Sequence, residues 1–170
     1  MDGRGIALDG AGLPIQIDRG GSPAPEPSAS RRILAVSGTA SLYRARALAA
    51  ATLPGGAVFD PAFGSYHEDL DLGLRLHRIG WTARWVPASP VRHEGSDTGS
   101  RMRWRHPWWL LANRWRALAG NLTPSALLRL APRLARGELR AINTLLRETP
   151  RTLPVAMAVG MAWPALVAQG

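Results

Sequence analysis

The hydrophobic pattern changes period several times along the chain. Ile33-Leu34-Ala35-Val36 is a short apolar run broken by Ser37-Gly38-Thr39, the length of a buried strand. Alanine, arginine and leucine fill 42–51, which predicts a helix ended by Leu53-Pro54-Gly55-Gly56. Phe59-Asp60-Pro61-Ala62-Phe63 reads as a turn with aromatic anchors. A second helix is predicted from about 68 to 78 and stopped by Gly80. Residues 82–86 alternate as a strand does and end at Pro87, with another short strand over 91–93. From Trp104 the spacing turns helical. One helix covers 108–118, and a longer one covers 125–147 with breaks at Pro132 and Gly137.

The first 32 residues differ. Gly, Pro and Asp dominate, with few apolar residues beyond Leu13-Pro14-Ile15-Gln16-Ile17, so a loop-like excursion is expected, most flexible over 20–30. The class is therefore α/β followed by a helical tail. Three segments result: a flexible Gly/Pro-rich approach over 1–32, an α/β unit over 33–100, and a basic Trp/Arg-rich tail over 101–170.

Composition sharpens this in three ways. With 46% hydrophobic residues the chain can bury a core. It has no Cys, which excludes disulfides, thiolate metal sites and a Cys nucleophile. Its net charge of +9 comes from Arg alone, and the whole excess lies beyond residue 100. Such a block faces nucleic acid or an anionic membrane surface. No charged n-region with an apolar core opens the chain, so no signal peptide is expected and a cytosolic setting is the default. Residues 153–168 are uncharged, but 16 residues with two prolines are short for a membrane span.

The densest chemistry is Tyr66-His67-Glu68-Asp69-Leu70-Asp71-Leu72, with three carboxylates at a helix start. Interaction with the helix dipole accounts for acids there. Helical projection separates them further. Leu72, Leu76 and Ile79 share one face, and Asp71, Arg75 and Arg78 share an opposite, solvated face. Asp69 falls on the apolar side, where a carboxylate costs free energy unless it has a partner or a task. Asp69, with Glu68 beside it, is the functional candidate. Further on, His93-Glu94-Gly95-Ser96 places an imidazole suited to a divalent metal after a strand end.

Taken together, Ser37-Gly38-Thr39-Ala40-Ser41-Leu42-Tyr43-Arg44, Val58-Phe59-Asp60-Pro61-Ala62-Phe63, the Glu68-Asp69 motif with Arg75-Leu76 and Gly80-Trp81, Val86-Pro87 and His93-Glu94-Gly95-Ser96 resemble family 2 glycosyltransferases of the rhamnosyltransferase-like kind. The match runs over roughly 33–150. It implies a GT-A-type α/β sandwich and transfer of a sugar from a nucleoside diphosphate to an acceptor hydroxyl with inversion, in cell-envelope or polysaccharide synthesis. The resemblance makes Asp69 the general base, aligns Gly38, Thr39 and Ala40 with the lining of the cleft, and sets His93 where some members bind Mg²⁺ or Mn²⁺. It implies a nucleotide sugar and a glycan or lipid-linked acceptor as partners, no nucleic acid, and a cytoplasmic location, peripheral on the inner face of the membrane.

Such enzymes also have a nucleotide-binding half with an Asp-x-Asp motif. Residues 1–32 are too few for it, since one βαβ unit takes about 30 residues. The expectation is thus the C-terminal half of a catalytic domain with the donor-binding half missing. Two rival classes stay open. A nucleic-acid binder would use the Arg and Trp of the tail, and a non-catalytic, membrane-associating scaffold would need no turnover. The Trp residues 104, 108, 109 and 115 either meet a headgroup layer or pack the tail on the domain.

Overall fold

The computed structural model describes residues 3–21, 29–87, 91, 105–148, 154 and 157–162. Among these, four short strands pair as two antiparallel ribbons. Strand β1 (Ile6–Leu8) pairs with β2 (Pro14–Gln16), and β3 (Arg31–Ile33) pairs with β4 (Ala83–Trp85). The ribbons meet where β3 runs on towards Ala35. The Ile6 N–H donates to the Ala35 carbonyl at 2.8 Å, and the Leu34 N–H donates to the Ile6 carbonyl at 3.0 Å. The first ribbon is a finding the composition of 1–32 concealed. Two apolar residues, Ile6 and Leu13, anchor it by burial, and an Asp9 turn closes it: its carboxylate accepts from the Ala11 and Leu13 N–H groups, each at 2.8 Å. The most flexible stretch expected, 20–30, falls largely outside the described residues.

Besides a helical stretch at 157–162, four α-helices complete the described chain. They are α1 (Ala45–Ala50), α2 (Glu68–Arg78), α3 (Arg105–Asn121) and α4 (Pro124–Glu148), with a 3₁₀ turn at Pro61–Phe63. Helix α2 has the bounds its pattern predicts. Helix α1 is shorter than 42–51 because residues 41–44 stay extended or irregular. Helix α4 runs through both expected breaks. Pro132 lies on its exposed side, where water can serve the carbonyl freed by the missing N–H. Gly137 is buried because the hairpin turn rests on it: a Cβ there would come within 2.8 Å of the Ala11 Cβ and 2.9 Å of the Leu13 Cδ1. Thr123 starts the helix, its hydroxyl accepting from the Ala126 N–H at 3.3 Å, with Pro124 in the first turn.

Helix α2 is the axis of the core, buried on more than one side. Leu70 and Leu74 join Ile6, Ala35, Phe63 and Ala117. Leu72 and Leu76 join Ala47 and Ala51 of the α1 region. Each fully buried Leu contributes about 1.5–3 kcal/mol. Of the face expected to be solvated, Arg78 is exposed as expected, whereas Asp71 and Arg75 are covered. Asp71 is only 7% exposed and bonds the Arg75 Nε at 2.8 Å and the Asn121 Nδ2 at 2.8 Å. Arg75 in turn donates to the carbonyls of Ala51 and Val58, and Arg78 donates to the Gly120 carbonyl at 3.1 Å. The projection erred because a polar face can be buried when each charge meets a partner. Ile79, assigned to the apolar face, is instead exposed.

The tail packs on this core. Leu13, Trp115, Leu118 and Leu134 form one cluster, and Trp109 lies over Gly64. Of the two uses left open for the tail tryptophans, Trp109 and Trp115 therefore serve packing; Trp104 lies outside the described residues. Leu111, Ala112 and Val159 form a further cluster with Trp108 and Ile142. Among the described residues no helix is long and apolar enough to cross a membrane.

The close approach of α2 to the sheet needs Gly73. A Cβ at that position would overlap the Ala35 Cβ and lie 3.1 Å from the Ala35 Cα. Gly73→Ala is expected to destabilise the chain by about 1–3 kcal/mol in urea unfolding, as overpacking does. Ala35→Gly should offset part of that loss in the double variant. Additive effects of the two changes would show that the helix does not rest on this strand.

Candidate active site

The site grows from a strained turn. The 3₁₀ turn is capped by Asp60, whose Oδ1 accepts from the Ala62 N–H at 2.8 Å. The chain then passes through Tyr66 at φ 70° and His67 at φ 68° before α2 begins. Two successive non-glycine residues in the left-handed region cost on the order of 1–3 kcal/mol each and persist only where the surroundings impose them. The side chain of Asn113 on α3 supplies that restraint. It is 1% exposed, and its Nδ2 donates to the carbonyls of Phe63 at 2.6 Å, Ser65 at 2.8 Å and Tyr66 at 3.0 Å. Arg116 holds the same turn through the Ala62 carbonyl at 2.6 Å and the Asn113 Oδ1 at 3.3 Å. His67 sits at the helix entrance with its pKa lowered to about 4, by burial first and by the Arg114 charge second. It is neutral at physiological pH. Arg114 itself pairs with Glu138 of α4.

The turn delivers Asp69 to the loop after Ala35. Its Oδ2 accepts from the Gly38 N–H at 3.0 Å, and its Oδ1 accepts from the Leu70 N–H at 2.8 Å. Each oxygen keeps a lone pair for a further partner. Burial raises the Asp69 pKa, and the amide hydrogen bonds oppose that rise without cancelling it. Glu68, alongside, has its pKa raised by burial first and by Asp69 as well. Its Oε2 is buried and makes no hydrogen bond among the described residues.

The expected residues divide as follows. Gly38 and Asp69 are brought into contact. Thr39 stands next to them, its hydroxyl 3.2 Å from that of Ser37, which is in turn 3.4 Å from the Gln16 Nε2. Ala40 is exposed on the same loop. His93 lies outside the described residues, so its assignment as a metal ligand is neither supported nor opposed. Among the described residues no three His, Asp or Glu side chains gather as a cation site.

Two participants were not singled out from the sequence. Tyr43 lies close enough for Asp69 and Glu68 to help burial raise its phenol pKa, with Ser41 opposing. It also lines a cavity of about 240 Å³ with Ala35, Gly73, Trp81 and Arg84, a cavity that neither Asp69 nor Gly38 lines. Asn113 was hidden because its partners are backbone carbonyls about 50 residues away, which no local pattern records.

The sequence profile of glycosyl transferase family group 2 matches residues 26–168, and the chain belongs to that family. Two curated relatives are the N-acetylglucosaminyl-diphospho-decaprenol L-rhamnosyltransferases of Mycobacterium tuberculosis strains CDC 1551 / Oshkosh and ATCC 25618 / H37Rv. Each is 31% identical over 102 residues, covering 50% of this chain and 33% of theirs. The chain thus matches about a third of the length of these relatives. No solved structure matches it.

Removing the Asn113 amide takes a donor from three carbonyls, of which that of Phe63 also accepts from a backbone N–H, that of Ser65. Asn113→Ala should lower stability by about 2–4 kcal/mol, from the cost of unpaired buried groups, measured by chemical denaturation. Asn113→Asp keeps the shape but turns the donor into an acceptor, and should be at least as damaging. A loss below about 0.5 kcal/mol in both would show that the turn holds its shape without the amide.

Proposed function

We propose that this chain supplies the acceptor-activating part of an inverting sugar transferase, with Asp69 as the general base. The observation that carries the reading is the Gly38 N–H bond to the Asp69 Oδ2 at 3.0 Å. It fixes a half-buried carboxylate at a helix start, with both oxygens still able to accept. In the step envisaged, the acceptor hydroxyl gives its proton to Asp69 and its oxygen attacks the anomeric carbon. The bond from that carbon to the diphosphate breaks, and the leaving group takes the electron pair. A raised pKa suits this task, since a base titrating nearer neutrality drives proton transfer better while remaining ionised. Gly38, Thr39 and Ala40 would line the cleft where donor and acceptor meet.

Family 2 enzymes use nucleotide-sugar donors, commonly with a divalent metal. The described residues do not fit a cation. Glu68 and Asp69 are the carboxylates at the site, no third ligand joins them, and Asp69 is engaged by two amide donors. We read 33–100 as part of a GT-A-type sandwich completed by donor-binding sequence outside the described residues, with 1–32 leading in and 101–170 as a helical buttress. The relatives' name specifies a decaprenol-linked acceptor, and we assign this chain an acceptor of that chemical class, a polyprenyl-diphosphate-linked glycan of the cell envelope met at the inner face of the membrane.

The test is transfer from a nucleotide sugar to such an acceptor. A general base contributes 10²–10⁴-fold, so Asp69→Asn should lower kcat by roughly that factor. The wild-type rate should rise with pH through a midpoint above the ordinary aspartate value of about 3.9, and the variant should lose that limb. Stability should move differently. Because burial raises the Asp69 pKa, its ionisation costs stability as pH climbs through that pKa, so the uncharged variant should unfold at the same or a higher temperature at pH 7. An unchanged rate would overturn the assignment of the base. No transfer at any pH by a well-folded wild-type protein that includes the donor-binding part would favour the non-catalytic scaffold instead.

A further inference from the structure

The exposed side of α4 (Pro124–Glu148) has an organisation that neither the core nor the candidate site uses. Arg129, Arg133, Arg136 and Arg140 are all exposed, as is Arg147. At 3.6 residues per turn these five fall within an arc of about 60°. No acid shares the stripe: within the helix the acids are Glu138, half-buried and paired with Arg114, and the terminal Glu148. A quarter turn away stand Leu128 at 76% exposure and Leu139 at 68%, within about 20° of each other by the same geometry. The opposite side carries Leu130, Leu134 and Ala141 and packs on Leu13, Trp115 and Leu118. The helix therefore has a buried face, a cationic stripe, and a solvent-facing apolar stripe beside it.

Two exposed leucines thus lie along one line next to five cations with no acid among them. We propose that this surface docks on an anionic membrane, the arginines meeting lipid phosphates and Leu128 and Leu139 entering the headgroup boundary. Charge complementarity selects the occupant, and the exposed leucines separate a lipid surface from a nucleic acid, which offers phosphates but no apolar layer to receive them. The helical stretch at 157–162, whose Val159 and Ala162 pack towards Ile142 of α4, leaves Met157 and Met161 exposed as well. The assignment moves the membrane-facing element from the tryptophan helix α3, where Trp109 and Trp115 are occupied by packing, to α4. It rests on the surface alone and not on the transfer reaction, so its failure would leave the assignment of Asp69 standing.

The experiment is co-sedimentation of the 170-residue chain with vesicles of phosphatidylcholine alone or with 30% phosphatidylglycerol, over a salt series. Binding should require the anionic lipid and weaken as salt rises. Each Arg near an anionic leaflet strengthens association roughly fivefold, so replacing Arg129, Arg133, Arg136 and Arg140 together by Gln should weaken it by about 10²–10³-fold. Leu128→Ser with Leu139→Ser should weaken binding several-fold at every salt concentration, with the melting temperature unchanged. Equal binding to both vesicle types would overturn the proposal. So would full binding by the four-Gln variant, or tighter binding to duplex DNA than to anionic vesicles at the same salt.

Discussion

One amide group holds the architecture of the site in place. The Asn113 Nδ2 gathers three carbonyls of a turn that the chain would not otherwise adopt, because Tyr66 and His67 both sit in the left-handed region. That turn fixes where α2 starts, and the start of α2 fixes Asp69 against the Gly38 N–H. The strain at 66–67 is therefore offset from a different helix, α3, through a buried donor. This gives the helical tail a structural part in the candidate site: α3 braces the turn that leads to Asp69, and Arg114 and Glu138 tie α3 to α4 behind it.

Helix α2 converts this local restraint into a global one. Gly73 lets it lie on Ala35, two residues before the loop that carries Gly38, so strand and carboxylate are registered over a short span of chain. On another side, Asp71 is shared between Arg75 and Asn121, and Arg75 reaches the carbonyls of Ala51 and Val58. Buried charges of this kind add little net stability. They do fix the rotation of α2 about its axis, because turning the helix would leave Asp71 buried without partners.

Much of the site could be read from the residues. The bounds of α2 followed from its acids, its leucines and Gly80, and Asp69 stood out because a carboxylate projected onto an apolar side needs a reason. Gly38 and Thr39 came from the family resemblance, and the structure brings Gly38 to Asp69 by a backbone N–H that has no sequence signature. Other features lay beyond local pattern. Residues 1–32 read as a loop-like excursion because Gly, Pro and Asp dominate them, yet Ile6 and Leu13 anchor a hairpin there whose turn lies on Gly137. Asp71 looked solvated because periodicity marks a polar face without saying whether partners bury it. Pro132 looked like a break because its exposed position on α4, where water tolerates a missing bond, is a tertiary property. Asn113 could not be found at all, since its role is defined by carbonyls whose positions depend on the finished fold.

The account turns on one bond, from the Gly38 N–H to an Asp69 carboxylate whose pKa burial has raised, and amide NMR reports on it directly. Across a pH titration of the ¹⁵N-labelled chain, the Gly38 amide should shift with a midpoint above the ordinary aspartate value of about 3.9. In Asp69→Asn the shift should vanish. A Gly38 amide that ignores pH, or that titrates identically once Asp69 is replaced, would contradict the account, because the carboxylate would then be held by something else.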